Sequence, residues 1–209
     1  MLFRKLQLLC MRSSHLLQLD RVMANMASVA YAIEGPQKDL EKILGAICLA
    51  VTDEKHWDEY TTCRHLGFTE KELEDKRLGG ELSDEPEIVD GVLKFWAEER
   101  WGLQDFEELL RQKFLDIKVY WTVEESGCGV YCTNDKEGKY FPDRFWVDTA
   151  QDDIYDSEYF KNEESMWKWL DEKYGVKSEE EVEAWNASYE DSCADDENFI
   201  HIHKFKVEE

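Results

Sequence analysis

The segment FIHIHKFKV near the C-terminus spaces His201 and His203 two residues apart. On a β-strand such a pair projects from one face, close enough for two imidazoles to share a divalent ion. Two nitrogens do not complete a coordination sphere, and a solvated or rim-facing strand pair is the plainer reading. Phe199 and Phe205 on the same side point to partial burial of that face. Cys128 and Cys132 form the other candidate set. Three residues separate them rather than the two of a zinc knuckle, and Cys193 or His201 would have to join them. Two packed thiols in a hairpin explain the pair as well. Cys128, Cys132, His201 and His203 are therefore the candidate metal ligands, and no cofactor is assigned.

Acid–base and nucleophilic chemistry have thinner support. Glu124 and Glu125 are adjacent at the end of a strand pattern, so they point to opposite faces and do not cooperate. Cys63 and His65 lie in an inserted region, where a cleft against the sheet would make an enzyme the competing reading. His15 and His56 stand apart from any readable nucleophile. The chain carries no nucleophile elbow, phosphate-cradling glycine loop or zinc-protease motif. No catalytic residue is assigned.

The elements that must position these residues follow from periodicity. SVAYAIE, from Ser28, alternates Val29, Tyr31 and Ile33 on one side, as a strand does. Gly35-Pro36 then opens a helix whose Leu40, Ile43, Leu44 and Ile47 make one apolar stripe. Cys48 falls within this pattern and is expected to behave as a small hydrophobe. Residues 52–86 read as an insertion. Thr69 and Glu72 form a capping box, Gly79-Gly80 is expected to end that helix, and ELSDEPE reads as a surface loop.

Beyond it, Leu93, Phe95 and Ala97 alternate in a strand, and Leu103, Phe106 and Leu110 mark a helix. DIKVYWTV is a strand with Ile117, Val119, Trp121 and Val123 on one face. GVYCT and YFPDRFWVD are predicted to flank a turn at NDKEG. Two helices follow. The first carries Met166, Trp169, Leu170 and Tyr174, with Gly175 as its C-terminal cap. The second carries Val182, Trp185 and Tyr189 behind a Ser178–Glu181 capping box.

Helices packed on one face of a mostly antiparallel sheet define an α+β fold of ferredoxin-like type, with a helical insertion and two C-terminal helices. The stretches GVLKFWAEERWG, DFEELLRQKF and DIKVYWTVEESGCGVYCTNDKEGKYFPDRF resemble a ferredoxin-like domain family of unknown function. That family is found in bacterial and phage- or plasmid-borne reading frames, and the resemblance covers about Ser28 to Thr149. It implies a mobile-element setting and a chain topology. It implies no iron–sulfur cluster, activity or catalytic residue.

Charge narrows the class of partner. The 209 residues hold 48 acids against 25 Lys and Arg, a net −23. Hydrophobic residues at 43% and 8 Trp supply a real core, which argues against an acidic disordered chain. Residues 1–25 carry +3, which leaves −26 for the rest. This stretch reads as a transit-type leader or an over-extended start, with Met23 or Met26 as the true beginning, outside the fold. A single domain over 26–209, with an acidic elaboration at 150–209, is expected.

Between Gln151 and Phe199, 17 acids face 4 Lys. The chain is thus expected to be a small cytoplasmic accessory protein that binds a basic protein, the six cysteines staying reduced. A phage-type DNA mimic and a small enzyme with an unrecognised site are the alternatives. Nucleic acid is disfavoured by charge, although Tyr120 and Tyr131 on the sheet would offer a stacking platform. No membrane association is expected.

Overall fold

A computed structural model describes residues 26–208 except 53–57, 84, 101, 104, 153 and 191–197. The expected leader, His15, His56, Cys10 and Cys193 therefore lie outside the described residues. The fold is mixed α and β, with mostly antiparallel sheets and several helices.

β1 (Met26–Glu34) runs through the middle of the larger sheet, its alternation burying Ala27, Val29, Tyr31 and Ile33. α1 (Gln37–Val51) lays Leu40, Ile43, Ala46, Ile47 and Ala50 on the core, with Leu44 at the margin. Cys48 corrects the expectation: it lies one step off the buried stripe and is exposed. Gly35 permits the tight approach of this turn to Ile117, since an added Cβ would come within 2.8 Å of its Cγ2.

The insertion holds α2 (Glu59–His65) and α3 (Glu70–Leu73), the latter with its Thr69–Glu72 capping box complete. α3 ends at Leu73, well before Gly79-Gly80. ELSDEPE is not a plain surface loop. It contains β2 (Glu81–Leu82) and leads into β3 (Glu87–Val89), both antiparallel to β4 (Val92–Arg100). Leu82 is buried while Glu81 and Glu87 stay outside, so the acids mark the solvent side of short edge strands.

α4 (Phe106–Lys113) buries Phe106, Leu109 and Leu110, and Phe106 closes an aromatic triad with Tyr31 and Phe95. β5 (Lys118–Glu125) and β6 (Val130–Thr133) follow, joined by a 3-10 turn at Ser126–Cys128. The strand order is β10-β6-β5-β1-β4-β2, with β3 also on β4. Among the described residues only the contact of β10 (Lys206–Val207) with β6 is parallel.

GVYCT and YFPDRFWVD do not pair across NDKEG. The second supplies β7 (Phe145–Gln151), which founds a separate three-stranded sheet ordered β8-β7-β9. β8 (Ile154–Phe160) has no counterpart in the sequence expectation, because an edge strand with both faces largely wet shows little apolar alternation. β9 (Phe199–Lys204), α5 (Glu163–Tyr174) and α6 (Glu179–Glu190) complete this unit. The two helices occupy the expected positions, and Gly175 caps α5 at φ 71°. The second core gathers Phe145, Val147, Phe160, Met166, Leu170, Val176, Val182 and Ile200. After β9 the chain buries Phe205 and returns to the first sheet as β10, tying the two sheets together.

Candidate functional site

β7 and β9 pair antiparallel with Asp148 directly opposite His201 and Trp146 opposite His203. The period of two along each strand sets both imidazoles and the carboxylate on one face. Asp148 Oδ1 lies 2.7 Å from His203 Nε2, and Oδ2 lies 3.6 Å from His201 Nδ1. One donor atom from each residue falls within 4.8 Å of the other two.

Aromatic rings fix the imidazoles. His203 packs on Tyr131 at 4.5 Å and on Trp146 at 4.9 Å, and His201 stacks on Phe199 at 4.4 Å. His203 is half-buried and His201 exposed, so the face opens to solvent beside a shallow groove of about 420 Å³. Two imidazoles and a carboxylate form a donor set suited to a first-row divalent ion.

His201 and His203 therefore share a face as their spacing predicts. Asp148 was not legible: its partnership depends on a strand pairing across 53 positions (148 to 201), which no local pattern encodes. Asn186 on α6 braces β9 at the residue before His201. Its side chain accepts from Ile200 N at 2.8 Å and donates to Ile200 O at 2.9 Å, standing where a further strand would pair. Asn186→Ala is expected to cost about 1 kcal/mol through these lost hydrogen bonds. Urea unfolding measures it, and an unchanged midpoint would show that water replaces them.

The other candidates separate. Cys128 is exposed in the 3-10 turn, whereas Cys132 is buried in β6 opposite Val123, its thiol pushed up to about 11 mainly by burial. The pair expected to share a hairpin face is not brought together, because the turn breaks the strand between them. Cys63 is buried with its thiol pushed up to about 12, chiefly by burial, while His65 is exposed at the end of α2. They do not line a common cleft. Glu125 is buried and Glu124 accepts from Tyr159 Oη at 2.8 Å on the opposite face, as adjacency dictates. Tyr131 is buried against Trp146, His203 and Phe205, which removes it from a stacking platform; Tyr120 packs edge-on against Tyr140.

A buried carboxyl pair went unread in the sequence. Glu99 continues the inward alternation Leu93, Phe95, Ala97, and Glu59 enters from α2; both are fully buried. Tyr31 Oη donates to Glu99, and Gly80 N donates to Glu59 Oε2 at 3.3 Å. Burial, then the neighbouring Glu99, hold the Glu59 carboxyl well above the usual range. With no exposed surface, the pair is a structural feature of the core. The signal that would have found it is a glutamate on the apolar register of β4.

A larger cleft of about 640 Å³ opens where the sheets meet, with Arg144, Lys161 and Lys204 around Phe145 and Phe205. A scan against protein-family models found no match, and searches of curated proteins and of solved structures found none. Among the described residues no helix is long and apolar enough to cross a membrane.

Proposed function

We propose that this chain is a cytoplasmic accessory protein that acts by binding, docking a basic protein on its acidic C-terminal part. The acids of β8, α5 and α6 carry the proposal. Three of its four lysines are already taken, by Lys168–Glu172, Lys173–Asp156 and Lys177–Asp171 contacts. Glu158, Glu164, Glu179 and Glu183 are exposed, with no ion pair among the described residues. A set of elements with most of its cations paired and many of its acids unpaired favours a cationic partner. β8 also ends its sheet and exposes Ile154, Tyr155 and Tyr159 on the strand that carries Glu158. Apolar groups rimmed by charge suit a protein more than a small cation.

The same reading takes the larger sheet as ferredoxin-like. It is supported by the antiparallel order β5-β1-β4-β2, with β4-α4-β5 arching over β1. Thiols not joined in disulfides at Cys48, Cys63 and Cys132 accord with a reducing compartment.

Capture from native lysate at low and high salt tests the proposal. A discrete basic protein should be retained at low salt and released at high salt, because exposed charges are screened beyond about 8 Å at physiological ionic strength. If the captured protein is a DNA-binding protein that duplex DNA displaces, the surface is a DNA mimic. Retention of nothing at low salt would leave the acids with a solubilising role and overturn the proposal.

A further inference from the structure

We infer that Asp148, His201 and His203 form a binding site for one first-row divalent transition ion of the Zn²⁺ class. Ligand atoms bound at about 2.0–2.1 Å to a tetrahedral Zn²⁺ stand roughly 3.3–3.4 Å apart. The two Asp148–imidazole separations, 2.7 and 3.6 Å, bracket that spacing. Those separations run to different carboxylate oxygens, and one donor atom from each of the three residues already lies within 4.8 Å of the other two, so side-chain rotation has only to draw them in to close the shell.

A simple carboxylate–imidazole hydrogen bond would account for His203 alone. It does not account for His201, which is exposed to water, yet directs Nδ1 at the same carboxylate from 3.6 Å, beyond hydrogen-bond distance. The two rings present different nitrogens to the two oxygens of one carboxylate, Nδ1 of His201 to Oδ2 and Nε2 of His203 to Oδ1. Both rings are braced before any ion arrives: His201 by Phe199, and His203 by Tyr131 of the first sheet and Trp146 of the second. Such support is what a low-cost binding site requires. Hard-cation chemistry fits less well, since Ca²⁺ and Mg²⁺ take oxygen ligands. Three protein donors leave a fourth position open to water or to a donor from another molecule. The acidic field of the chain raises the local concentration of any divalent cation, which adds attraction without selectivity.

The test uses the full chain, stripped with chelator, reduced, and titrated with Zn²⁺ by calorimetry and with Co²⁺ by absorption. One equivalent should bind, and the Co²⁺ complex should show ligand-field bands without a thiolate charge-transfer band. His201→Ala and His203→Ala should each weaken binding at least about 10-fold, the loss seen when metal-site support is removed. His65→Ala, on α2, should leave it unchanged. Circular dichroism of each variant separates lost binding from lost folding. Shifts of the His201 and His203 imidazole resonances in the unmodified protein give a second readout that needs no variant. A thiolate band, binding as tight as the wild type's in either histidine variant, or unmoved imidazole resonances at saturating Zn²⁺ would overturn the assignment.

Discussion

Asp135→Ala is expected to destabilise the protein by about 3–5 kcal/mol, because two hydrogen bonds to a charged group are lost and their donors are left without partners. Asp135 is buried and accepts from Tyr140 N at 2.6 Å and Phe141 N at 2.9 Å. Its own carbonyl accepts from Arg144 Nη2 at 2.7 Å, and Arg144 Nη1 reaches Phe141 O at 2.7 Å. These bonds shape the segment between β6 and β7, which replaces the predicted hairpin. Burial pulls the carboxyl upward, but the backbone N–H groups of Phe141, Tyr140 and Lys139 more than offset it and hold it below the ordinary 3.8.

A folded-state pKa below the unfolded value means that this stabilisation is present above about 3.8 and is lost as pH falls through the folded value. The wild type and Asp135→Ala should therefore differ most near neutral pH and converge in acid. For a chain of this size the neutral difference corresponds to roughly 10 °C in Tm. A difference below about 1 kcal/mol in urea unfolding would show that water satisfies the linker, within the net worth of one ordinary hydrogen bond.

Glu59→Gln should act in the opposite direction, raising stability by about 1–3 kcal/mol at pH 8, the scale for relieving a poorly compensated buried polar group. Glu59 and Glu99 converge on Gly80 so closely that an added Cβ there would lie 2.7 Å from Glu59 Cδ and 2.9 Å from Glu99 Cγ. Two buried carboxylates cannot both ionise cheaply in such a space. Because the folded-state value of Glu59 is raised, its contribution is full below the ordinary 4.5 and is lost as pH rises through the folded value. The amide keeps an acceptor for Gly80 N and carries no charge. Melting curves from pH 5 to pH 8 should decline for the wild type and flatten for Glu59→Gln. Parallel slopes would show that another group controls the alkaline loss.

The parts of this fold that were legible are those whose partners are local. The Val29–Tyr31–Ile33 alternation, the α1 stripe, the Thr69–Glu72 box and the Gly175 cap each depend on residues a few positions apart, and each appears in the structure. What failed depended on distant partners. β2 and β3 exist because β4 offers them an edge, and β8 because β7 does. NDKEG reads as a hairpin turn, yet β7 finds better burial against Met166, Leu170 and Ile200 than against β6. The same division runs through the sites. The shared face of His201 and His203 follows from a period of two, whereas Asp148 and the Glu59–Glu99 pair come from chain crossings that composition and spacing do not encode.

On the proposed function, the acids of the second sheet's unit, rather than the net charge of the chain, select a basic partner. Two variants of equal charge test it most directly: Glu158, Glu164, Glu179 and Glu183 changed to Gln, against Glu41, Glu74, Glu85 and Glu87 changed to Gln. All eight positions are exposed, the first four on the second sheet's unit and the others on the first. Quantified at low salt, capture of the basic protein should be lost by the first variant and kept by the second. Equal loss from both would reduce the interaction to bulk charge and contradict the claim.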